Sequence, residues 1–428
     1  MKEPQSKRIL LLMRNSSYRG RAFYEAAQRL GIEVVVGVDI HPDLADYWQL
    51  PLSIQFDQPD QAISTIVEWA QRQPVQAVLS VDDSASLIAA RANAALGLTH
   101  NSPESALAAR NKYEMRRLFA AAGVASPRFR LYEATAEPQP IAPTLDYPCV
   151  IKPTLLSGSR GVIRADSPAE FVEAFSRLRR MLLTMQRLPG SMQVLIEDFI
   201  PGFEVALEGL IDQGQLHALA LFDKPDPLDG PFFEETIYVT PSRLPPDVQS
   251  EIVACAGQAA AALGLRYGPV HAELRVNQAG PWMLEIAGRS IGGLCSQTLR
   301  FGLGEISLEE LILRQAAGLD LNQFLNRKAE ASGVMMIPIP KAGLLKKVEG
   351  VETAEAVPGI ESVQLTAKLN QPLIPLPEGD SYLGFIFARG DSPENVEAAL
   401  RRAHRQIRFT IEEILPLSLV SNRPAGRG

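Results

Sequence analysis

Three cysteines in 428 residues, Cys149, Cys255 and Cys295, are too few and too widely spaced for a disulfide framework or a thiolate metal site. Each sits among apolar or small residues, which predicts reduced, mostly buried thiols and a cytoplasmic compartment. Excess positive charge is missing too. Forty-two Lys and Arg face 49 Asp and Glu, a formal charge of −7, and no Lys/Arg-rich run occurs, which argues against nucleic-acid partners. No apolar stretch approaches a transmembrane helix, and the run Ile9–Met13, ended by Arg14, is too short for a signal-peptide core, so no membrane role is expected. GxxxxGK[ST], GxGxxG and GxSxG are all absent. That excludes a P-loop, a Rossmann dinucleotide site and a nucleophile elbow. What is present is an ordinary globular composition, 46% hydrophobic and 21% charged, at a length suited to about two to four structural units.

The N-terminal third alternates strands with helices. RILLLM (8–13), EVVVGV (33–38) and QAVLSVD (76–82) read as parallel strands, with a helix from about Arg21 to Leu30 closed by Gly31. Asp39, Asp82 and Asp83 fall at strand carboxyl ends, where open α/β sheets bind ligands, although turn or capping roles are the expectation for each. Ser102-Pro103-Glu104 opens a helix predicted to run through Lys112 to about Ala122. The middle reads as antiparallel α+β: strands at 147–153 and GVIRAD, a helix begun by Ser167-Pro168-Ala169-Glu170 and ending near Gly190, three strands from QVLIEDF to QLHALALFD, and a helix at about 246–262. From Ala331 the pattern changes to a small α+β unit with a polar tail, Asn422–Gly428. The fold class is therefore α/β and α+β, divided as 1–102, 103–330 and 331–428.

Charge is concentrated on one predicted hairpin, GPVHAELRVNQAGPWMLEIAGRSIGG. Val270, Ala272, Leu274 and Val276 alternate with His271, Glu273 and Arg275; Trp282, Leu284 and Ile286 alternate with Met283, Glu285 and Ala287. A three-residue turn at Gln278-Ala279-Gly280 and a register symmetric about Ala279 set Glu273 opposite Glu285. Like charges so placed destabilise a sheet unless a cation sits between them, and phosphate-bound magnesium is the natural candidate. Two solvated glutamates are the plain alternative. Upstream, Lys152 precedes Ser157-Gly158-Ser159-Arg160-Gly161, residues able to wrap an anion in backbone N–H groups or simply to turn a hairpin. Lys112 is either a second phosphate ligand or an exposed helix residue. Glu197 and Glu204 flank the connector Phe199-Ile200-Pro201-Gly202, which offers backbone to an adenine edge or is an ordinary turn.

In this order the pieces resemble the ATP-grasp superfamily over about residues 8–330. The resemblance implies that Lys112 and Lys152 hold the α- and β-phosphates of ATP and that the loop containing Ser157, Gly158, Ser159 and Gly161 closes over them. It further implies that Glu197 with the backbone at Phe199 and Ile200 reads adenine, that Glu204 binds ribose, and that Glu273 and Glu285 hold Mg2+, with Mn2+ as an alternative. Arg289 would stabilise the transferred phosphoryl group. Many members carry an asparagine two residues after the second glutamate, where this sequence has Ala287, so a second metal site would be weaker or completed by water. Arg289 followed by a glycine-rich stretch, and YLGFIFARGD near the C-terminus, are similar to the branch that includes bacterial L-amino-acid ligases.

The expected activity is an ADP-forming carboxylate–amine ligase joining small amino-acid-like substrates through an acyl phosphate. A purine-pathway or carboxylase-type enzyme using formate, bicarbonate or a ribonucleotide is the alternative, and a non-catalytic nucleotide-binding protein a further one. Within 223–242, Phe232, Phe233 and Tyr238 are candidates for a substrate wall and Glu234 or Glu235 for an ammonium site, against a plain surface loop. His271 is expected to contact substrate or phosphate, or to hydrogen-bond Glu273 or the backbone. Partners are small-molecule carboxylates and amines, and a homodimer is left open.

Overall fold

The computed structural model describes residues 7–15, 17–48, 50, 52–185 and 192–413. Strands β1 (Arg8–Arg14), β2 (Glu33–Asp39), β3 (Leu52–Ser53) and β4 (Ala77–Ser80) form a parallel sheet in the order β3-β2-β1-β4. Helices α1 (Gly20–Leu30), α2 (Pro42–Tyr47), α3 (Pro59–Arg72) and α4 (Ser86–Ala95) accompany it. The unbroken apolar run of β1 follows from burial on both faces. Ile9 and Leu11 pack with Phe23 and Ala27 of α1, whereas Leu10 and Leu12 pack with Ile66 of α3 and Ile88 of α4.

The helix predicted over Ser102–Ala122 is two helices, α5 (Pro103–Arg110) and α6 (Lys112–Ala122). Asn111 between them is extended, and its Oδ1 accepts hydrogen bonds from the N–H groups of Tyr113 and Glu114. An asparagine that satisfies orphan N–H groups favours starting a helix over continuing one. Lys112 thereby becomes the first residue of α6, and its N–H donates to Thr154 O at 2.9 Å.

Strands β5 (Phe129–Glu133), β6 (Cys149–Pro153), β7 (Ile163–Ala165) and β8 (Gln193–Asp198) form a small antiparallel sheet, ordered β5-β8-β6-β7. The short α7 (Pro138–Ile141) and the long α8 (Pro168–Thr184) pack on it through Phe171, Phe175 and Leu178. Ser167 caps α8 by accepting from Glu170 N–H, and the Glu170 carboxylate accepts from the Ser167 hydroxyl and from Asp166 N–H, so the backbone donor of the expected reciprocal box is offset by one residue. The helix ends at Thr184 rather than near Gly190, and that expected end lies outside the described residues.

The remaining strands are β9 (Phe203–Asp212), β10 (Gln215–Lys224), β11 (Ile237–Thr240), β12 (Gly268–Asn277), β13 (Gly280–Ala287), β14 (Ala331–Ile337), β15 (Gly343–Glu349), β16 (Ile360–Leu365), β17 (Pro372–Leu373), β18 (Gly384–Gly390) and β19 (Arg408–Glu412). Eight of them make a large sheet in the order β13-β12-β9-β10-β11-β14-β18-β16, and β17-β15-β19 form a separate small one. Strand β14 pairs with β11 on one side and β18 on the other, so strands from beyond residue 330 extend the central sheet. Helix α9 (Pro246–Ala262) covers one face of β9, β12 and β13, burying Ile252, Ala256 and Ala259 against Val205, Leu207, Val270 and Ala272. Helix α10 (Leu308–Ala316) joins the core shared with α1, and α12 (Pro393–His404), following the short α11 (Val351–Glu355), buries Val396 and Leu400 against β14 and β18. The expected tail at 422–428 lies outside the described residues.

Within the β12–β13 hairpin two local departures from the predicted register cancel. The hairpin closes one residue tighter, at Asn277–Gly280, and a bulge between Leu274 and Glu273 then restores the step, so Glu273 pairs with Glu285. Between bulge and turn the faces exchange. Met283 is in the apolar core and Leu284 lines the opposite side, the reverse of the alternation read from sequence.

The Asn111 cap gives a first expectation. Asn111→Ala should cost about 1 kcal/mol, whereas Asn111→Gly should cost only a few tenths. Urea unfolding monitored by circular dichroism should separate the two, and equal midpoints would contradict the cap.

Candidate active site

A cavity of about 820 Å3 is lined by residues from all four sheets and from each third of the chain. Of the residues singled out in the sequence, Lys112, Lys152, Ser157, Gly158, Ser159, Glu197, Phe199, Ile200, Glu204, Glu235, His271, Glu273, Glu285 and Arg289 face it. Gly161 does not line it; its N–H donates to Pro377 O, and a Cβ there would crowd Leu178 and Pro153. Glu234 turns away as well. Its carboxylate accepts from the backbone of Ile339, and burial raises its pKa, so of the two neighbouring glutamates only Glu235 reaches the cavity.

On one side stands β6, whose last residues carry Lys152 into a buried position beside the chain 154–160. Gly158 and Ser159 both have left-handed backbone, φ +65° and +54°, the conformation that turns successive N–H groups to one side. Lys152 Nζ is 2.5 Å from Glu197 Oε2, and Glu197 Oε1 is 2.6 Å from Arg116 Nε. Burial lowers the Lys152 pKa, and Glu197 only partly offsets it. Burial by itself would raise Glu197, but Arg116 and Lys152 outweigh it and hold the carboxyl below its ordinary value. The Glu197 side chain is thus committed to two cations and is no free acceptor for a ligand; at the connector, Phe199 N–H donates to Pro148 O and Ile200 O accepts from Arg275, which leaves Phe199 O and Ile200 N–H as the backbone groups not so engaged. The Phe199 ring lies between guanidinium groups, with Arg164 at 4.1 Å and Arg275 at 4.9 Å from its centroid.

Across the cavity is the charged face of β9 and β12. Register pairs Glu204 with Arg275 on one neighbour and with Lys224 on the other, Ala206 with Glu273, and Glu208 with His271. Both Glu204 oxygens are engaged, Oε1 by Lys224 and Oε2 by Arg275, each at 2.9 Å. Lys224 Nζ is also 2.8 Å from Glu235 and 3.4 Å from Glu273. His271 bridges two carboxylates, with Nδ1 3.3 Å from Glu208 and Nε2 3.4 Å from Glu273; at these distances and angles the contacts are ion pairs rather than well-formed hydrogen bonds. Glu285, opposite Glu273, lies 3.0 Å from Lys112 Nζ, which also donates to Leu156 O at 2.7 Å. Arg289 Nε reaches the N-terminal sheet and pairs with Asp83 Oδ2 at 2.9 Å. Burial opposes the charge on Arg289, but Asp83 and Glu285 overcome it and raise its pKa.

These donors suit magnesium held between protein and phosphate. Glu273 and Glu285 are hard carboxylates on one face, each about one-quarter exposed toward the cavity, unlike the enclosed Glu204 and Glu208. Among the described residues no three His, Cys, Asp or Glu side chains converge as a self-sufficient metal cage, so phosphate oxygens would complete the shell. At the position of Ala287, opposite His271, the side chain supplies no donor.

Sequence reasoning missed Lys224, Arg116 and Glu208, and it put Arg275 on the charged face of the hairpin without a role. The signal was available in part: FEVALEGL places Glu204, Ala206 and Glu208 on one face of β9 and Val205 and Leu207 on the other. Asp83 was assigned a turn or capping role, and it is Asp82 that caps, by accepting from Ser84 N–H. The three thiols are buried, and burial lifts Cys149 to about 12 and Cys255 to about 11, which leaves neither a nucleophile at neutral pH. No helix among the described residues is long and apolar enough to cross a membrane.

The His271 bridge has a pH signature. Burial disfavours the imidazolium, but Glu208 and Glu273 outweigh it, so the folded-state pKa lies above the ordinary value. Its stabilising contribution is complete below about pH 6.5 and is lost as pH rises through the folded pKa. The stability difference between wild type and His271→Gln should therefore be largest below about pH 6.5 and shrink as pH rises above it through the folded pKa. Denaturation midpoints across that range measure it, and a difference that grows with pH would contradict the bridge.

Comparison with known proteins agrees with this architecture. Residues 24–100 match the ATP-grasp N-terminal domain, 145–298 the ATP-grasp domain, and 335–412 the L-amino acid ligase C-terminal domain 2. The uncharacterized protein y4rH of Sinorhizobium fredii is 24% identical, over 95% of this chain and 83% of that protein. The alanine–anticapsin ligase of Bacillus subtilis is 23% identical, over 91% of this chain and 90% of that one. The crystal structure of L-amino acid ligase from Bacillus licheniformis superposes with a TM-score of 0.78 at 25% identity, over 96% of this chain and all of that one. The chain has the ATP-grasp fold and resembles the L-amino acid ligases.

Proposed function

We propose that this enzyme joins a small carboxylate, amino-acid-like in character, to an amine, with ATP converted to ADP and phosphate. The observation that carries the reading is the convergence on one cavity of two buried lysines, a left-handed glycine-serine turn, two opposed glutamates and an arginine, from segments over 170 residues apart in sequence. The C-terminal match to L-amino acid ligases favours an amino-acid-like acyl donor over bicarbonate, formate or a ribonucleotide.

A carboxylate resists attack by amines because its anion is stable. In the proposed first step a carboxylate oxygen attacks the γ-phosphorus of ATP and the bond to ADP breaks, giving an acyl phosphate. In the second, the amine nitrogen attacks the acyl carbon, the carbon–oxygen bond to phosphate breaks, and the nitrogen gives up a proton. Little covalent chemistry falls to the protein, so positioning and charge neutralisation dominate. Lys112 and Lys152 would neutralise phosphate oxygens, and the turn at Gly158 and Ser159 would donate backbone N–H groups. Glu273 and Glu285 would hold magnesium, which supplies charge neutralisation at the phosphates. Lys112 lies 3.0 Å from Glu285, so a cation that would neutralise phosphate sits next to a carboxylate that would hold magnesium. Arg289, fixed by Asp83, would neutralise the oxyanion at the acyl centre. Glu235, which lines the cavity beside Tyr238 and pairs with Lys224 at 2.8 Å, would receive a substrate ammonium through its remaining oxygen.

The reaction is tested by its products. ADP and phosphate should appear with magnesium, and hydroxylamine should trap the activated acyl group as a hydroxamate when the amine is withheld. AMP and pyrophosphate as products would overturn the mechanism, and activity confined to bicarbonate or formate would favour the carboxylase-type alternative.

The assigned roles predict distinct mutant phenotypes. Lys152→Ala should remove a charge-assisted contact worth roughly 1.5–3 kcal/mol, about ten- to a hundredfold in ATP affinity or rate. Glu273→Gln or Glu285→Gln should raise the magnesium requirement more than it weakens ADP binding. Titration of rate against ATP and magnesium distinguishes these cases, and unchanged profiles in all three variants would remove the nucleotide from this cavity.

A further inference from the structure

The segment carrying Lys152 and the glycine-serine turn is fastened from outside the cavity. Arg177, on α8, forks onto Glu378 with Nε–Oε1 2.7 Å and Nη2–Oε2 2.9 Å. The same guanidinium lies 5.0 Å from the ring centroid of Phe232. One side chain therefore joins three pieces of chain: the helix behind the small sheet, the loop at 226–236, and the C-terminal loop between β17 and β18. Three contacts beside it repeat the connection. Gly161 N–H donates to Pro377 O at 2.8 Å, Arg160 Nε donates to Glu378 O at 2.8 Å, and Arg160 Nη1 lies 3.5 Å from Asp380 Oδ2.

The C-terminal loop is stiff enough to act as an anchor. Gly379 N–H donates to Pro375 O at 2.9 Å, and a Cβ on Gly379 would overlap the carbonyl oxygen of Ile374, so the tip is a closed turn. Asp380, Ser381 and Tyr382 of this loop line the cavity, as do Lys368 and Gln371 just before β17. The fastening itself is soft. Arg177 and Glu378 are each about 40% exposed, and exposed pairs contribute little and are screened by salt. A bidentate fork gives direction without much strength. Rigid pieces joined by a weak, directional contact can open to admit nucleotide and close again.

We propose that Arg177 and Glu378 are positioning residues that clasp the glycine-serine turn to the C-terminal loop, and that the acyl intermediate is kept from water while the clasp is made. The proposal rests on the ligase reading above, because only an activated acyl group makes water exclusion consequential. Neither residue touches the cavity, so neither is a catalytic residue.

The test has two arms. In the first, hydrogen exchange at the Gly161 amide is compared between nucleotide-free wild type and Glu378→Gln. The clasp predicts exchange faster by roughly fivefold in the variant, the shift an exposed pair can supply. The charge-reversed double variant, Arg177→Glu with Glu378→Arg, should restore the slow rate. In the second arm, phosphate release is compared with amide formation. Glu378→Gln should raise phosphate released per amide formed by roughly fivefold, the double variant should return it toward wild type, and about 0.5 M salt should loosen the wild type in the same direction. Unchanged exchange in Glu378→Gln, or faster exchange with unchanged coupling, would overturn the proposal. A wild type that forms no amide with any carboxylate–amine pair would sink the ligase reading instead, and the exchange arm would still decide whether the clasp exists.

Discussion

A single buried ammonium holds the charged half of this cavity together. Lys224 lies within 2.9 Å of Glu204, 2.8 Å of Glu235 and 3.4 Å of Glu273, and is almost wholly enclosed. Burial disfavours its charge, but the three carboxylates outweigh that and raise its pKa well above the ordinary value. Without it the three would repel one another in a poorly solvated space, and breaking such a buried pair costs about 3–5 kcal/mol. The ring of Tyr238 at 5.0 Å adds a further face to the enclosure. Because the carboxylates come from β9, the 226–236 loop and β12, the ammonium fixes the relative positions of three segments, and Glu273 with them.

A parallel arrangement holds the other half. Arg116, fully buried, and Lys152 share Glu197 between α6, β6 and β8. Two clusters result, one with anions around a cation and one with cations around an anion, and they face each other across the cavity. Arg289 with Asp83 ties the N-terminal sheet to the same space. The apolar cores behind these clusters are joined as well, since α1, β10, α10, β14 and β18 contribute to one continuous set of buried side chains. Geometry at the cavity is therefore set by packing from the whole length of the chain.

Much of this was legible in the sequence because it depends on short-range pattern. Parallel strands flanked by helices, the antiparallel middle and the pairing of Glu273 with Glu285 follow from periodicity and turn residues. The pairing was reached through an incomplete path, since the tighter turn and the bulge are each invisible to alternation and happen to cancel. Asn111 was read as helical because its neighbours favour helix, yet its side chain captures two N–H groups and restarts the chain there. Lys224 and Arg116 were overlooked for a different reason. Each is an ordinary charged residue locally, and what makes it part of the site is the strand or helix brought beside it. Asp83 is the plainest case, since its partner Arg289 lies 206 positions away.

The place of β14 within the large sheet has a consequence for biosynthesis. Ile237–Thr240 of β11 hydrogen-bond to residues 332–335 of β14, and β18 then covers the far side of β14. Until Ala331–Ile337 has left the ribosome, the growing sheet ends in β11, an open edge of alternately directed N–H and C=O groups beside the buried apolar side chains Ile237 and Val239. Such an edge pairs readily with another chain. A translation product that stops near residue 330 would therefore be sticky rather than merely shorter, and once Ala331–Ile337 has closed that edge, β14 itself stays open on its far side until β18, Gly384–Gly390, has been made.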